Sequence, residues 1–206
     1  QEILAAALTL FSERGFAATR LEDVATLAGL SKAAIYLYFP DKTALLRAIV
    51  EDAVSANLDA VRRVMAPRQG PIAPFIATFL ETMASRLNTS QLPDVIKLVV
   101  AESRAHPDIG RLYLDANIGR AVPILQSLIE RGIVRGEFRP VDPALTARCI
   151  VGPMVLAALW RSVFEPIGGE PLDIAALARQ HADLILNGLV PRPPGSQAPA
   201  RSGARV

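Results

Sequence analysis

Apolar positions along this chain recur every three or four residues, the period of helices that bury one face. Ile3, Leu4, Ala7, Leu8 and Phe11 form the first such stripe, and Gly15 stops it. Thr19-Arg20-Leu21-Glu22 reads as a capping box, a hydroxyl followed three residues later by a carboxylate. It opens a short helix carrying Val24, Ala25 and Leu27, which Gly29 ends. Ser31 caps the next short helix, which runs through Ile35 and Tyr36 until Pro40. Asp41 caps a longer one, whose stripe runs through Leu45, Leu46, Ile49, Val50, Ala53, Val54, Leu58, Val61 and Met65. Pro67-Arg68-Gln69-Gly70-Pro71 is the clearest break in the first half.

The same period predicts longer helices over 72–88, 93–105, 108–131, 144–164 and 172–188. His106-Pro107-Asp108 and Glu165-Pro166-Ile167-Gly168-Gly169 interrupt them, and 132–143 is a connector. No run alternates as a half-buried strand would, so the expected fold is all-α. The expected organisation is a three-helix head over 1–46, a helical body over 47–190 and a tail over 191–206. The tail is Pro, Gly, Ser, Ala and Arg in the main, a composition that favours disorder. The chain begins inside a helical pattern, as if residues before Gln1 were missing.

Composition narrows the class. Of 206 residues, 51% are apolar and 20% charged, which fits a globular chain. No apolar run approaches the ~18 residues of a membrane helix; the longest, near Ile150 to Trp160, ends at Arg161. Gln1-Glu2 is no basic leader, so no membrane and a cytoplasmic setting are expected. The lone Cys149 allows no internal disulfide, and with only His106 and His181 beside it a protein-only metal site is all but excluded. Cys149 reads as a small buried apolar residue, His106 as a cation at a helix C-terminus and His181 as a half-buried packing residue. Glu22 and Asp23 read as acids favoured near a helix N-terminus. No catalytic triad, phosphate loop or cofactor motif can be assembled, so no enzyme and no cofactor are expected. Net charge is only +2, and residues 1–50 balance five cations against five acids. A nucleic-acid role must therefore rest on local geometry.

That geometry lies between Gly15 and Leu46. Two short helices joined by Ala28-Gly29-Leu30-Ser31 form a helix-turn-helix pattern. Leu21, Val24, Ala25, Leu30, Ile35 and Phe39 would pack inward, while Lys32, Ala33, Ala34, Tyr36, Leu37 and Tyr38 would face a duplex. Tyr36 and Tyr38 offer hydroxyls to phosphates, and Lys42 offers a charge in the first turn of the following helix.

Gly15-Phe16-Ala17-Ala18-Thr19-Arg20-Leu21-Glu22-Asp23-Val24-Ala25, then Ala28-Gly29-Leu30-Ser31-Lys32, Ile35-Tyr36-Leu37-Tyr38-Phe39, Lys42 and Leu45 together resemble the DNA-binding module of TetR-type transcriptional repressors. The resemblance implies a DNA-binding head, a linking fourth helix, a ligand-binding body and a dimer made by the last two long helices. It places Thr19, Arg20, Tyr36 and Lys42 on backbone phosphates, and Lys32, Ala33 and Ala34 on base edges. Tyr38 stands where the family often has His, and Arg20 where it commonly has a second small hydroxyl residue. Two alanines read only thymine methyls or groove shape, so direct readout is thin.

For the body, Phe75, Phe79, Met83, Leu98, Leu112, Tyr113, Met154 and Trp160 are the expected apolar lining of an effector site. Glu102, Arg104 and Asn117 are its candidate polar groups. Pro123 and Pro153 fall inside helical patterns and should open space by kinking them. Neither an acidic nor a basic cluster marks the body, which favours a neutral, hydrophobic small molecule. Helices 144–164 and 172–188 are apolar over wide faces, as a homodimer interface on double-stranded DNA would require. The resulting expectation is a ligand-responsive regulator, most simply a repressor. The alternatives are a small-molecule-binding helical protein or enzyme without DNA activity, and a chromosome-organising DNA binder with a filled body.

Overall fold

The computed structural model describes residues 2–65 and 70–191, excluding the side chains at 57, 58 and 60–65. The described residues form an all-helical structure. Its elements are α1 (Glu2–Arg14), α2 (Leu21–Leu27), α3 (Lys32–Tyr38), α4 (Lys42–Met65), α5 (Ala73–Thr89), α6 (Leu92–Glu102), α7 (Pro107–Tyr113), α8 (Gly119–Val134), α9 (Pro143–Leu159) and α10 (Ile174–Leu189). The break expected at 67–71 and the tail expected beyond Pro191 fall mostly outside the described residues, as do the side chains of Leu58, Val61 and Met65.

Local chemistry sets most boundaries. The Ala34 N–H donates to Ser31 Oγ at 3.1 Å, and the Ala44 N–H to Asp41 Oδ1 at 2.8 Å, as the spacing predicts. Asp142 and Asp173 cap α9 and α10 in the same way. Gly29 takes φ +69°, which lets the Leu30 N–H reach back to the Ala25 carbonyl at 2.8 Å and closes α2. The start of α2 differs from expectation. Arg20, not Thr19, is the N-cap, and the Asp23 carboxylate accepts from the Arg20 N–H at 3.3 Å. Thr19 is only 2% exposed; its Oγ1 lies 2.9 Å from the Gly15 carbonyl and 3.2 Å from that of Leu10, closing the end of α1 instead.

Two cores hold the chain. The first packs α1, α2, α3 and the front of α4 around Phe11, Val24, Ile35, Leu45 and Leu46. It does not stop at residue 46: Val95, Leu98 and Val99 of α6 and Ile109 of α7 belong to it. The second core joins α5, α6, α8, α9 and α10 around Ile76, Leu80, Leu125, Ile129, Ile150 and Met154. The head is thus fastened to the body by α6 and α7. Two further contacts reinforce this: the Phe16 and His106 rings meet edge-on at 5.1 Å, and Arg47 of α4 pairs with Asp108 of α7. His106 precedes α7 rather than serving as a C-terminal cation.

The long helix expected over 108–131 is made of three pieces. Between α7 and α8, Leu114–Ile118 follow π-helical geometry, closed by the Gly119 N–H on the Leu114 carbonyl. Pro123 sits inside α8 and Pro153 inside α9, where each removes one ladder bond. A second π-helical turn, Trp160–Phe164, extends α9. An 18-residue window within Pro143–Ile167 has mean hydropathy 1.5, and the stretch is long and apolar enough, by length and composition alone, to cross a membrane. Arg148, Arg161 and Glu165 interrupt the stretch, so no uninterrupted apolar run of that length arises, and α9 packs against α5, α6, α8 and α10. Cys149 is exposed on α9 rather than buried, and His181 Nε2 lies 3.1 Å from the Ile150 carbonyl, tying α10 to α9.

Candidate nucleic-acid interface and effector cavity

The outer face of α3 follows from one buried residue. Ile35 is fully buried in the head core, so Lys32, Ala33, Tyr36, Leu37 and Tyr38 stand outside and Ala34 is half-buried. Leu37 is 86% exposed, which no packing role explains. Arg20 is exposed, and its guanidinium makes no contact among the described residues.

Two expected phosphate ligands are turned inward. The Thr19 hydroxyl proton is shared between the two carbonyls that end α1. Lys42 Nζ donates to the Phe16 and Ala17 carbonyls, each at 2.8 Å, lies 3.5 Å from the Thr19 carbonyl, and sits 4.7 Å from the Phe16 ring centroid. The carbonyls left over after α1 gather the ammonium, so Lys42 anchors the loop between α1 and α2.

The opposite happens at Glu22. Its Oε1 accepts from Lys32 Nζ at 3.0 Å and from the Tyr36 hydroxyl at 3.0 Å. The Lys32 ammonium, then its own backbone N–H and the Tyr36 hydroxyl, lower the Glu22 pKa to about 2. The same bonds raise the Lys32 and Tyr36 values, Glu22 being the main cause in each case. Two donors of the exposed helix are therefore held in register by one acid of α2. The charge pattern contained this signal, but only the true start of α2 shows that Glu22 rather than Asp23 faces α3.

A cavity of about 410 Å³ lies between α5, α6, α7, the π-helical turn, α8 and α9. Phe79, Met83 and Leu87 of α5 form one wall; Leu92, Ile96, Val99, Val100 and Ser103 of α6 form the next. Gly110, Tyr113, Leu114, Asn117, Ile118, Ala121 and Val122 come from α7 through α8, and Arg148, Val151, Met154 and Val155 from α9. Of the expected lining residues, Phe79, Met83, Tyr113, Asn117 and Met154 line it. Phe75, Leu98, Glu102, Arg104, Leu112 and Trp160 do not. Leu98 is buried in the head core and Leu112 packs against that core. Glu102 borders a separate crevice with Phe11 and Phe16. Phe75 lies a turn before Phe79 on α5 and is half-buried away from the cavity. Trp160 donates its Nε1 proton to the Glu170 carbonyl at 2.9 Å and meets the Phe164 ring at a 45° tilt.

Within the cavity, Asn117 is only 7% exposed and hydrogen-bonds with the Tyr113 hydroxyl. Burial raises the Tyr113 pKa, and Asn117 pulls it back in part. The wider π-helical turn brings Leu114, Asn117 and Ile118 together on the wall, and such turns are frequent at functional sites. Among the described residues no group of three His, Cys, Asp or Glu could hold a metal ion.

A helix-turn-helix head beneath a helical body with a roomy apolar chamber defines a ligand-responsive, DNA-binding transcriptional regulator of the repressor type. The family model of bacterial regulatory proteins of the tetR family matches residues 3–49, and that of the tetracyclin repressor-like C-terminal domain matches residues 75–179. The chain belongs to this family. It is 32% identical over 198 residues to the HTH-type transcriptional regulator RutR of Escherichia coli, covering 92% of this chain and 90% of RutR. It is 26% identical to the HTH-type transcriptional repressor KstR2 of Rhodococcus jostii, over 91% of this chain and 89% of that protein. The crystal structure of the TetR family transcriptional regulator PfmR from Thermus thermophilus matches with a TM-score of 0.76 at 28% identity, covering 91% of this chain and 98% of PfmR.

Proposed function

We propose that this protein is a homodimeric repressor that binds a nearly palindromic operator and leaves it when a small apolar molecule enters the body cavity. The observation that carries the reading is the double membership of Val99 and Tyr113. Both line the cavity, Val99 is also part of the head core, and Tyr113 packs against both cores. A ligand that shifts α6 or α7 therefore pushes on the elements that hold α1 and α4. The Phe16–His106 and Arg47–Asp108 contacts carry the same displacement from the front of α7 to the head. The effector acts only through unequal affinity for the two arrangements.

The DNA contacts of this reading are Arg20, Lys32, Ala33, Tyr36, Leu37 and Tyr38, with Ala34 beside them. Thr19 and Lys42 hold the loop that carries Arg20. The dimer face is the outer side of α9 and α10, where Leu145, Leu156, Phe164 and Leu184 are exposed in the single chain. Pairing there makes a four-helix bundle and sets two α3 helices about 34–36 Å apart, one turn of DNA. Such a protein works in the cytoplasm, beside the chromosome, and has no catalytic step of its own. Selection of bound sites from random DNA tests the reading: recovered sites should be inverted repeats with fixed spacing. Recovery of single half-sites would remove the dimer from it.

A further inference from the structure

The geometry points to an effector with an apolar body and one anionic group, the anion meeting Arg148 at the cavity rim. This rests on the effector reading above and gives it a chemical class. Among the described residues the lining contains no carboxylate, and Arg148 is its one charged side chain. Arg148 donates one guanidinium N–H to the Ala144 carbonyl at 2.9 Å, a bond within its own helix. No carboxylate among the described residues pairs with it, so the remaining donors of the guanidinium are uncommitted. A planar guanidinium meets a carboxylate, sulfonate or phosphate through parallel N–H bonds, a geometry a neutral ligand cannot use as well.

The rest of the chamber selects against a second charge. Val151 and Met154, on the same helix as Arg148, are apolar, as are Phe79, Ile96 and Val99 opposite. A charge placed among them would be desolvated without a partner. Asn117 faces the Tyr113 hydroxyl, and Ser103 donates its hydroxyl proton to the Val99 carbonyl. The interior therefore asks for a hydrocarbon or aromatic surface, and the rim for one negative charge. Arg148 is exposed, so its attraction must weaken as salt rises. A ligand without charge would fill the chamber and leave Arg148 in water.

Two dyes with one aromatic framework separate these cases: anilinonaphthalene sulfonate, which carries the anion, and N-phenyl-naphthylamine, which does not. Fluorescence titration of the full chain should show a preference for the sulfonate that declines with salt. Arg148→Met should reduce that preference about tenfold, while Arg120→Met, which removes an exposed cation outside the lining, should leave it unchanged. Val151→Phe, which narrows the chamber, should weaken both dyes alike. If both dyes bind, Val151→Phe weakens both, and Arg148→Met leaves their ratio unchanged, the anionic class is overturned and the effector cavity stands. If neither dye binds, or Val151→Phe moves neither, the cavity reading itself fails and the anionic class falls with it.

Discussion

Glu22 of α2 and Lys32 of α3 form an ion pair at 3.0 Å across the face that would meet DNA. The acid does not neutralise that face by accident of proximity, because the Tyr36 hydroxyl converges on the same oxygen. A phosphate approaching Lys32 or Tyr36 must share those donors with Glu22. In the free protein the cluster orders two long side chains, which would lower the entropy lost on binding if the proposed face meets DNA. It also holds down attraction to any phosphate that arrives without correct geometry.

Glu22→Gln should therefore bind random DNA more tightly and discriminate less. Freeing the Lys32 ammonium should steepen the salt dependence of non-specific binding by about one unit of slope. Fluorescence anisotropy against salt, on random and selected DNA, measures both. An unchanged slope on random DNA would mean that Glu22 does not withhold Lys32 from phosphates outside the operator.

The pH dependence has a definite sign. Glu22 is lowered from an ordinary carboxylate value to about 2 in the folded chain. Its contribution to stability is full above the unfolded value and is lost as pH falls through the folded one, a window from about pH 4.5 down to about pH 2. The stability difference between wild type and Glu22→Gln should be constant above that window and shrink as pH falls through it. Around neutral pH Glu22 stays ionised, so it should give no pH dependence to DNA binding.

Lys42 and Lys32 should separate cleanly. Lys42→Met leaves the Phe16 and Ala17 carbonyls without their donor and should lower stability by about 1–2 kcal/mol, read by urea unfolding. Its effect on the salt slope should be small. Lys32→Met and Arg20→Met should do the reverse, each flattening the slope on the selected operator by about one with little change in stability. A Lys42→Met slope as flat as that of Lys32→Met would restore Lys42 to the phosphates.

Helix period made the head legible from sequence. Ile35 inward with Tyr36 and Leu37 outward follows from spacing alone, as does the turn at Gly29. Misplacing the N-cap by one residue, at Thr19 instead of Arg20, hid both the inward turn of Thr19 and the role of Glu22. Of the two carbonyls that accept from Thr19, Gly15 lies at the local i−4 spacing, whereas Leu10, nine residues away, is beyond the reach of any local rule. In the body, Phe75, Phe79, Met83 and Leu87 on α5 all repeat every four residues, yet the cavity begins only at Phe79, so the period gives the face and not where along it the chamber opens. The π-helical turn has no sequence signature beyond Pro123 shortly after it.

Gly110 gives the coupling between cavity and head its sharpest test. A Cβ at this position would lie 2.8 Å from Ser103 Oγ and 2.9 Å from Ser103 Cβ, so α6 and α7 touch here with no room for a methyl. Gly110→Ala should force Ser103 to give up its bond to the Val99 carbonyl or push α7 from α6. Since Val99 and Ile109 belong to the head core, either response should reach α1 and α4. The expected outcome is weaker operator binding in the absence of any effector, with dimerisation retained, measured by anisotropy and sedimentation. Ser103→Gly removes the obstructing side chain, so the double variant should recover most of the lost affinity, a non-additive pair in a double-mutant cycle. Operator binding by Gly110→Ala at wild-type strength would show that the α6–α7 contact does not govern the head.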